Sequence, residues 1–254
     1  MMRIAEIELA TRSSWPALEE LECPVGILRY AAGVTRRTNS MTPSSDPNLC
    51  PAELIEITEA FFRQKNLPPI VRVIAGSRAD NIRLSVLDQR LEDSSYSLAS
   101  PTRVMTLQLA DSGTAASPRQ DNYLKRLDPL AWSASWHSLK RLQPALLPVY
   151  QAMLIKIMDP ACYLLSKDAQ GNPVAAGMAV ISNGALGVFG IATLASERRK
   201  GFAAGLLAEL LHWGRQQGAR YAYLQVEKAN TAAVNLYKKF GFVDRYSYWY
   251  REKQ

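Results

Sequence analysis

The chain is short of the residues that build metal centres, disulfide frameworks and membrane spans. Two histidines, His137 and His212, and three cysteines, Cys23, Cys50 and Cys162, are scattered along 254 residues. A metal site needs several such ligands at close spacing and a disulfide framework needs paired cysteines, so neither is expected. Cys162 lies in an apolar run and reads as a small core residue. No apolar run approaches the roughly 18 residues of a transmembrane helix. Glu6 falls where a secretory signal would have its apolar segment, so the expected compartment is cytoplasmic. Long blocks of one charge are missing as well. Lys plus Arg outnumber Asp plus Glu by 30 to 23, a net charge of +7, yet the densest basic clusters are Arg36-Arg37 and Arg198-Arg199-Lys200. That favours a local site for a phosphorylated small molecule over a nucleic-acid-binding stripe.

What is present is a hydrophobic share of 48% and a charged share of 21%, the balance of a globular protein with a substantial core. In the first half, residues 3 to 10 alternate and predict a strand, followed by a short helix capped by Ser13 or Ser14 with Pro16 in its first turn. Ile27–Tyr30 and Val34–Thr38 predict a hairpin turning at Gly33. A helix from Pro51, a strand over Pro69–Ala75, a helix over Asn81–Leu91 and a strand over Arg103–Leu109 follow. Small residues and prolines over 111–119 suggest a linker.

After it come helices over 133–142 and 147–158, then a three-strand meander over Ala161–Ser166, Val174–Ile181 and Ala185–Leu194, with an Asn183-Gly184 turn. An amphipathic helix Phe202–Gln217 stops at Gly218, a strand covers Tyr221–Glu227, a helix follows Asn230 and ends at Gly241, and Tyr246–Arg251 forms a closing strand. The order strand, helix, strand from Ile70 onward repeats from Tyr221 onward. The fold class is therefore α+β with a mixed α/β sheet, in two related halves: 1–112, a linker over 113–127, and 128–254.

Chemistry concentrates in Arg198-Arg199-Lys200-Gly201-Phe202-Ala203-Ala204, where an apolar strand runs through three cations and a glycine straight into a helix. Glycine lets backbone approach a phosphate, the free N–H groups of a first helical turn point at an anion, and the cations add charge-assisted bonds. The same pattern also fits a solvated basic helix start. The spacing Asn230-x-x-Ala233-x-x-x-Tyr237-x-x-x-Gly241-Phe242 lies one strand later.

With both motifs in register, residues 133 to 254 resemble the GNAT superfamily of acyl-CoA-dependent N-acyltransferases. The resemblance implies two tandem GNAT-like domains. Trp15-Pro16, Gly33–Ser40 and Trp249-Tyr250-Arg251 are similar to a tandem subgroup. The first half has no glycine loop or cation triplet between Thr42 and Pro51, so only the C-terminal half is expected to hold acetyl-CoA. By resemblance, the pantetheine runs beside Phe189 to Thr193, with Ile191, Ala192 and Thr193 as its binding residues, and the pyrophosphate sits on Arg199 to Ala204, with Arg198 also on the cofactor side. Tyr237 matches the usual general acid, although it equally suits packing of its helix, and Asn230 caps the helix, bonds the cofactor, or both.

The base is less defined. The strand that carries a carboxylate in many relatives reads Gly187-Val188-Phe189-Gly190, which leaves Glu227, water or His137 as alternatives. Trp132, Trp136, Tyr246, Tyr248, Trp249 and Tyr250 read as packing or as walls of an acceptor cleft, with Arg29, Arg36 and Arg37 facing that cleft or solvent. The implied activity is acetyl transfer to a primary amine on a small molecule or peptide, by a monomer or homodimer. The alternative is a non-catalytic CoA-binding regulatory module.

Overall fold

The computed structural model describes residues 2–46, 48–75, 78–109 and 123–254. A first series of elements comprises α1 (Ile4–Ser14), β1 (Glu19–Cys23), β2 (Gly26–Tyr30), β3 (Ser40–Pro43), α2 (Pro51–Gln64), β4 (Ile70–Ile74), α3 (Arg78–Asp93) and β5 (Tyr96–Gln108). A second comprises β6 (Tyr123–Arg126), α4 (Pro129–Lys140), α5 (Leu147–Ile155), β7 (Ala161–Lys167), β8 (Pro173–Ser182), β9 (Ala185–Thr193), α6 (Phe202–Gln216), β10 (Tyr221–Glu227), α7 (Thr231–Lys239) and β11 (Val243–Lys253). The run β1-β2-β3-α2-β4-α3-β5 thus has the same element order as β7-β8-β9-α6-β10-α7-β11. Pairing is mixed: β9 runs parallel to β10 and β3 to β4, whereas the β7-β8-β9 meander is antiparallel.

The elements form two compact units that do not follow one cut of the chain. One comprises Met1–Pro16, Met105–Gln225 and Ala232–Val243; the other comprises Ala17–Val104, Val226–Thr231 and Asp244–Gln254. The expected linker 113–127 needs correcting at its end. Residues 123–126 form β6, paired antiparallel with β7 from Tyr123 opposite Lys167 to Arg126 opposite Leu164. The remainder of that segment, to residue 122, lies outside the described residues.

In the first unit, α6 lays Leu206, Leu207, Leu210 and Leu211 on β7, β8 and β9. Its heptad-like stripe of leucines is why the sequence reads as an amphipathic helix here. The expected strand over residues 3–10 is instead the helix α1, packed on β8 and β9. Its buried residues, Ile7, Ala10, Thr11 and Ser14, recur at helical spacing, but half are polar, which hides the period. They are satisfied across the fold: Gln225 Nε2 donates to Thr11 Oγ1 at 3.1 Å and the Tyr223 hydroxyl donates to Ser14 Oγ at 3.3 Å. The Glu6 carboxylate accepts from the Arg3 N–H at 2.8 Å and starts the helix. The helix ends where a new one was expected to begin, so Ser13 and Ser14 cap nothing.

In the second unit, Leu54 and Phe62 of α2, Val71 and Val73 of β4, and Leu87 and Leu91 of α3 share a core with Leu28, Met41 and Tyr96. Strand β11 pairs antiparallel with β4, Tyr248 opposite Ile74 and Glu252 opposite Ile70. Arg251 donates to Asp88 through Nε at 2.8 Å and a terminal nitrogen at 2.6 Å, and Trp249 Nε1 donates to the same carboxylate at 2.6 Å. The expected hairpin forms with a different second arm, Ser40–Pro43 in place of Val34–Thr38, and Gly33 lies in the connection. β2 pairs with β1 and β3, and residues 31–39 are a loop. Asn39 organises that loop: its Oδ1 accepts from the N–H groups of Ala31 and Gly33 at 2.8 and 2.9 Å, and its Nδ2 donates to Thr35 O at 2.8 Å. Arg29 is buried against Glu20, and Arg36 is paired with Glu252, so the first of these does not face solvent.

Candidate functional site

Strand β9 is regular at its start and broken near its end. Its antiparallel register with β8 slips between Ala176, opposite Ala192, and Met178, opposite Phe189. That slip is a bulge at Gly190-Ile191. Gly190 has φ 62°, and a Cβ there would stand 3.0 Å from Trp132 Cη2 and 3.1 Å from Trp136 Nε1. The parallel ladder with β10 covers only Ala185–Val188, opposite Tyr221–Leu224. Leu194 N–H donates to Val174 O at 2.8 Å, which turns Leu194 and Ala192 towards β8. Strand alternation then turns the peptide groups of Thr193 and Ile191 towards the other edge, beyond the end of the β10 ladder. Ile191, Ala192 and Thr193 therefore offer backbone hydrogen-bonding groups along one strand edge. Among the described residues the Thr193 hydroxyl, buried there, has no hydrogen-bond partner.

The chain leaves β9 through a 3-10 turn at Ala195–Glu197 and reaches α6 through Arg198-Arg199-Lys200-Gly201. Arg199 at φ 64° and Gly201 at φ 91° are both left-handed, and Gly201 is the N-cap with no side-chain cap. Gly205 N–H, donating to Gly201 O at 2.9 Å, makes the first bond of the helix. The N–H groups of Phe202, Ala203 and Ala204 precede it and carry the positive end of the helix dipole. Arg198, Arg199, Lys200 and Gly201 are exposed, whereas Phe202 to Ala204 are half-buried. The cations are not equivalent. Lys200 Nζ is held by Glu197 at 3.0 Å, while Arg198 and Arg199 form no ion pair among the described residues.

Tyr237 lies on α7, buried, with its ring edge-on to Phe242 at 6.1 Å. Burial pushes its phenol up to about 12. The helix closes at Gly241, φ 89°, where Phe242 N–H donates back to Tyr237 O at 3.1 Å. Tyr237 belongs to the same unit as Ile191–Thr193 and Arg198–Ala204; Glu227 and Asn230 belong to the other. Both of these are exposed, in a turn where Asn230 N–H donates to Glu227 O at 3.0 Å, directly before α7.

No side chain fits at Gly187 of β9. A Cβ at Gly187 would stand 2.5 Å from Phe189 Cε2 and 2.6 Å from the Tyr223 hydroxyl. His137 is buried against Tyr150 on α4, with its Nε2 unpartnered among the described residues. Two residues that the sequence did not connect to β9 meet it directly. Trp136 Nε1 donates to Gly190 O at 2.8 Å, and Trp15 stacks on Phe189 at 5.8 Å. No local pattern marks either contact. A cavity of about 250 Å³, lined by Met2, Glu6, Asn183 and Arg220 among others, lies at the opposite end of β9 from Thr193. Among the described residues there is no cluster of three or more metal-ligating side chains, and no helix is long and apolar enough to cross a membrane.

A family model described as "Probable histone acetyltransferase Rv0428c C-terminal" matches residues 2–251. The chain is 28% identical over 256 residues to the "Uncharacterized N-acetyltransferase YobR" of Bacillus subtilis (strain 168), covering 99% of each. A GCN5-related N-acetyltransferase from Kribbella flavida superposes with a TM-score of 0.70 at 16% identity, over 100% of this chain and 96% of that one. A tandem GNAT protein from the clavulanic acid biosynthesis pathway superposes at 0.59 with 12% identity, over 79% and 69% of the two chains. At these identities the two structures establish a shared mixed α/β fold.

Proposed function

The chain belongs to the family described as "Probable histone acetyltransferase Rv0428c C-terminal", within the GNAT superfamily of N-acetyltransferases, and on that premise we propose that it transfers an acetyl group from acetyl-CoA to a primary amine by direct attack. The observation that carries this reading is the junction of β9 and α6. Among the described residues, a strand edge at Ile191–Thr193 beyond the β10 ladder leads, within a few residues, to a glycine-capped helix N-terminus with two arginines that form no ion pair. The residues fit the parts of acetyl-CoA in that order. The pantetheine amides pair with the Ile191 carbonyl and the Thr193 peptide groups. The pyrophosphate lies on the N–H groups of Gly201–Ala204, with Arg198 and Arg199 neutralising it and Lys200 contributing less because Glu197 holds it.

The amine nitrogen attacks the acyl carbon, the carbonyl π pair moves to oxygen, and backbone N–H groups at the β9 bulge receive the charge. Collapse breaks the C–S bond and the thiolate leaves. Tyr237 is the proton source for it; with its phenol up to about 12 it stays protonated at neutral pH. An alkyl amine with a pKa of about 10 arrives charged, so a base is needed, and we assign Glu227, acting directly or through water. Asn230 precedes α7 and completes the cofactor side. The two halves are read as tandem GNAT-like domains, with the acetyl-CoA site in the C-terminal one. Their repeated element order supports this, as does the glycine loop found before α6 and not before α2. Isothermal titration with acetyl-CoA tests the reading: binding at submillimolar concentration is expected, and no detectable heat would refute it.

A further inference from the structure

We propose that Trp136 is a positioning residue for acyl transfer: its indole N–H sets the Gly190-Ile191 peptide so that the Ile191 N–H is presented to the acyl oxygen. The inference rests on the acetyl-CoA reading above and adds a part to it. A tryptophan has one hydrogen-bond donor, and Trp136 spends it at 2.8 Å on Gly190 O. There are no cis peptide bonds among the described residues, and in a planar trans peptide the C=O and the following N–H point in opposite directions. A carbonyl drawn to Trp136 therefore aims the Ile191 N–H away from α4. The strand register reaches the same result independently. Ala192 faces β8, Ile191 faces the other edge, and the β10 ladder has ended at Val188.

The indole is itself fixed. Trp136 stacks on Trp132 at 5.6 Å with planes 15° apart, and stands edge-on to Tyr150 at 5.2 Å. Trp132 Nε1 in turn donates to Leu164 O on β7 at 3.1 Å. A rigid aromatic relay thus ties the bulge on β9 to the second strand over. Only glycine fits at residue 190, because φ is 62° and both indoles occupy the space of a Cβ. A preorganised donor of this kind need not reorient as charge develops on the oxygen, which is where such donors gain their effect.

The test separates the donor from the ring. Trp136→Phe keeps an aromatic side chain without the N–H, and incorporation of benzothienylalanine at residue 136 keeps the shape of the indole and deletes only the donor. S-acetonyl-CoA, a ketone that cannot transfer its acyl group, and CoA itself are titrated against each protein. The infrared carbonyl stretch of a ¹³C-labelled ketone is read in the complexes. Wild type is expected to shift the stretch to lower frequency and to prefer the ketone. In both variants the shift should fall by more than half and the ketone-to-CoA preference by about fivefold, with CoA affinity kept. An unchanged shift and preference in the benzothienylalanine protein would overturn the role of Trp136 while leaving cofactor binding intact. Failure of wild type to bind either ligand would overturn both readings together.

Discussion

Replacing Arg198 and Arg199 together by alanine isolates the charge component of the proposed pyrophosphate site. Both side chains are without an ion pair among the described residues, so their removal strands no buried partner. Arg199 already sits at φ 64°, and alanine there has much the same backbone strain as arginine. The backbone N–H groups of Gly201–Ala204 and the helix dipole remain. The loss is therefore that of two exposed cation–phosphate contacts. An exposed pair is worth about 0.2–1 kcal/mol. The sum is about 0.4–2 kcal/mol at low salt, a roughly 2- to 30-fold weaker Kd for acetyl-CoA. Titration calorimetry at low ionic strength measures it directly. Repeating the titration near 1 M salt, where the screening length is about 3 Å, should shrink the gap to a few-fold. Lys200→Ala should cost less than the pair, since Glu197 already engages that ammonium. Equal affinities of wild type and the double variant at low salt, or a larger effect from Lys200→Ala, would refute the phosphate assignment.

Three further outcomes follow from particular contacts. Tyr237→Phe should lower turnover by about 100-fold with acetyl-CoA affinity kept within about twofold. Because the phenol is pushed up to about 12, the protonated form needed for donation persists across neutral pH and is lost only as pH rises through that value; an alkaline decline below about pH 10 that disappears in the variant would contradict this. Gly187→Ala should cost about 2–4 kcal/mol in urea denaturation, because its methyl would meet Phe189 at 2.5 Å and displace the Tyr223 hydroxyl from Ser14; an unshifted midpoint would show that β9 can relax there. Asp88→Asn should cost about 2–3 kcal/mol, since Arg251 is left half-compensated by Glu92 at 3.2 Å. Burial alone would raise the Asp88 carboxyl, but hydrogen bonds from Arg251 and Trp249 outweigh it and hold the group below the usual carboxylate range. That stability is present above the unfolded value of about 3.9 and is lost as pH falls through the folded one, so the wild-type–variant difference should narrow in acid unfolding.

The elements visible in the sequence were those whose cause is local. The leucine stripe of α6, the Asn183-Gly184 turn and the glycine ahead of Phe202 each act within one or two turns of chain, and the structure forms all three where the pattern places them. The α1 segment was misread because its reason lies elsewhere. Half of its buried positions are polar, and their partners on β10 are 209 and 214 residues away. The loop at 31–39 was misread because a single side chain, Asn39, supplies the hydrogen bonds that a ladder would otherwise have made.

The sequence by itself determined the glycine-ended loop Arg198–Gly201, the helix after it and the helix that carries Tyr237, because helix caps, left-handed glycines and amphipathic periods are properties of neighbouring residues. It also determined that β9 carries no carboxylate. The tertiary structure alone decided that no side chain fits at Gly187, where Phe189 and Tyr223 take the space. It alone decided that Lys200 is engaged while Arg198 and Arg199 form no ion pair among the described residues, and that an indole 54 residues away bonds to the bulge. Each depends on a distance between side chains far apart in the chain, which composition and spacing do not encode.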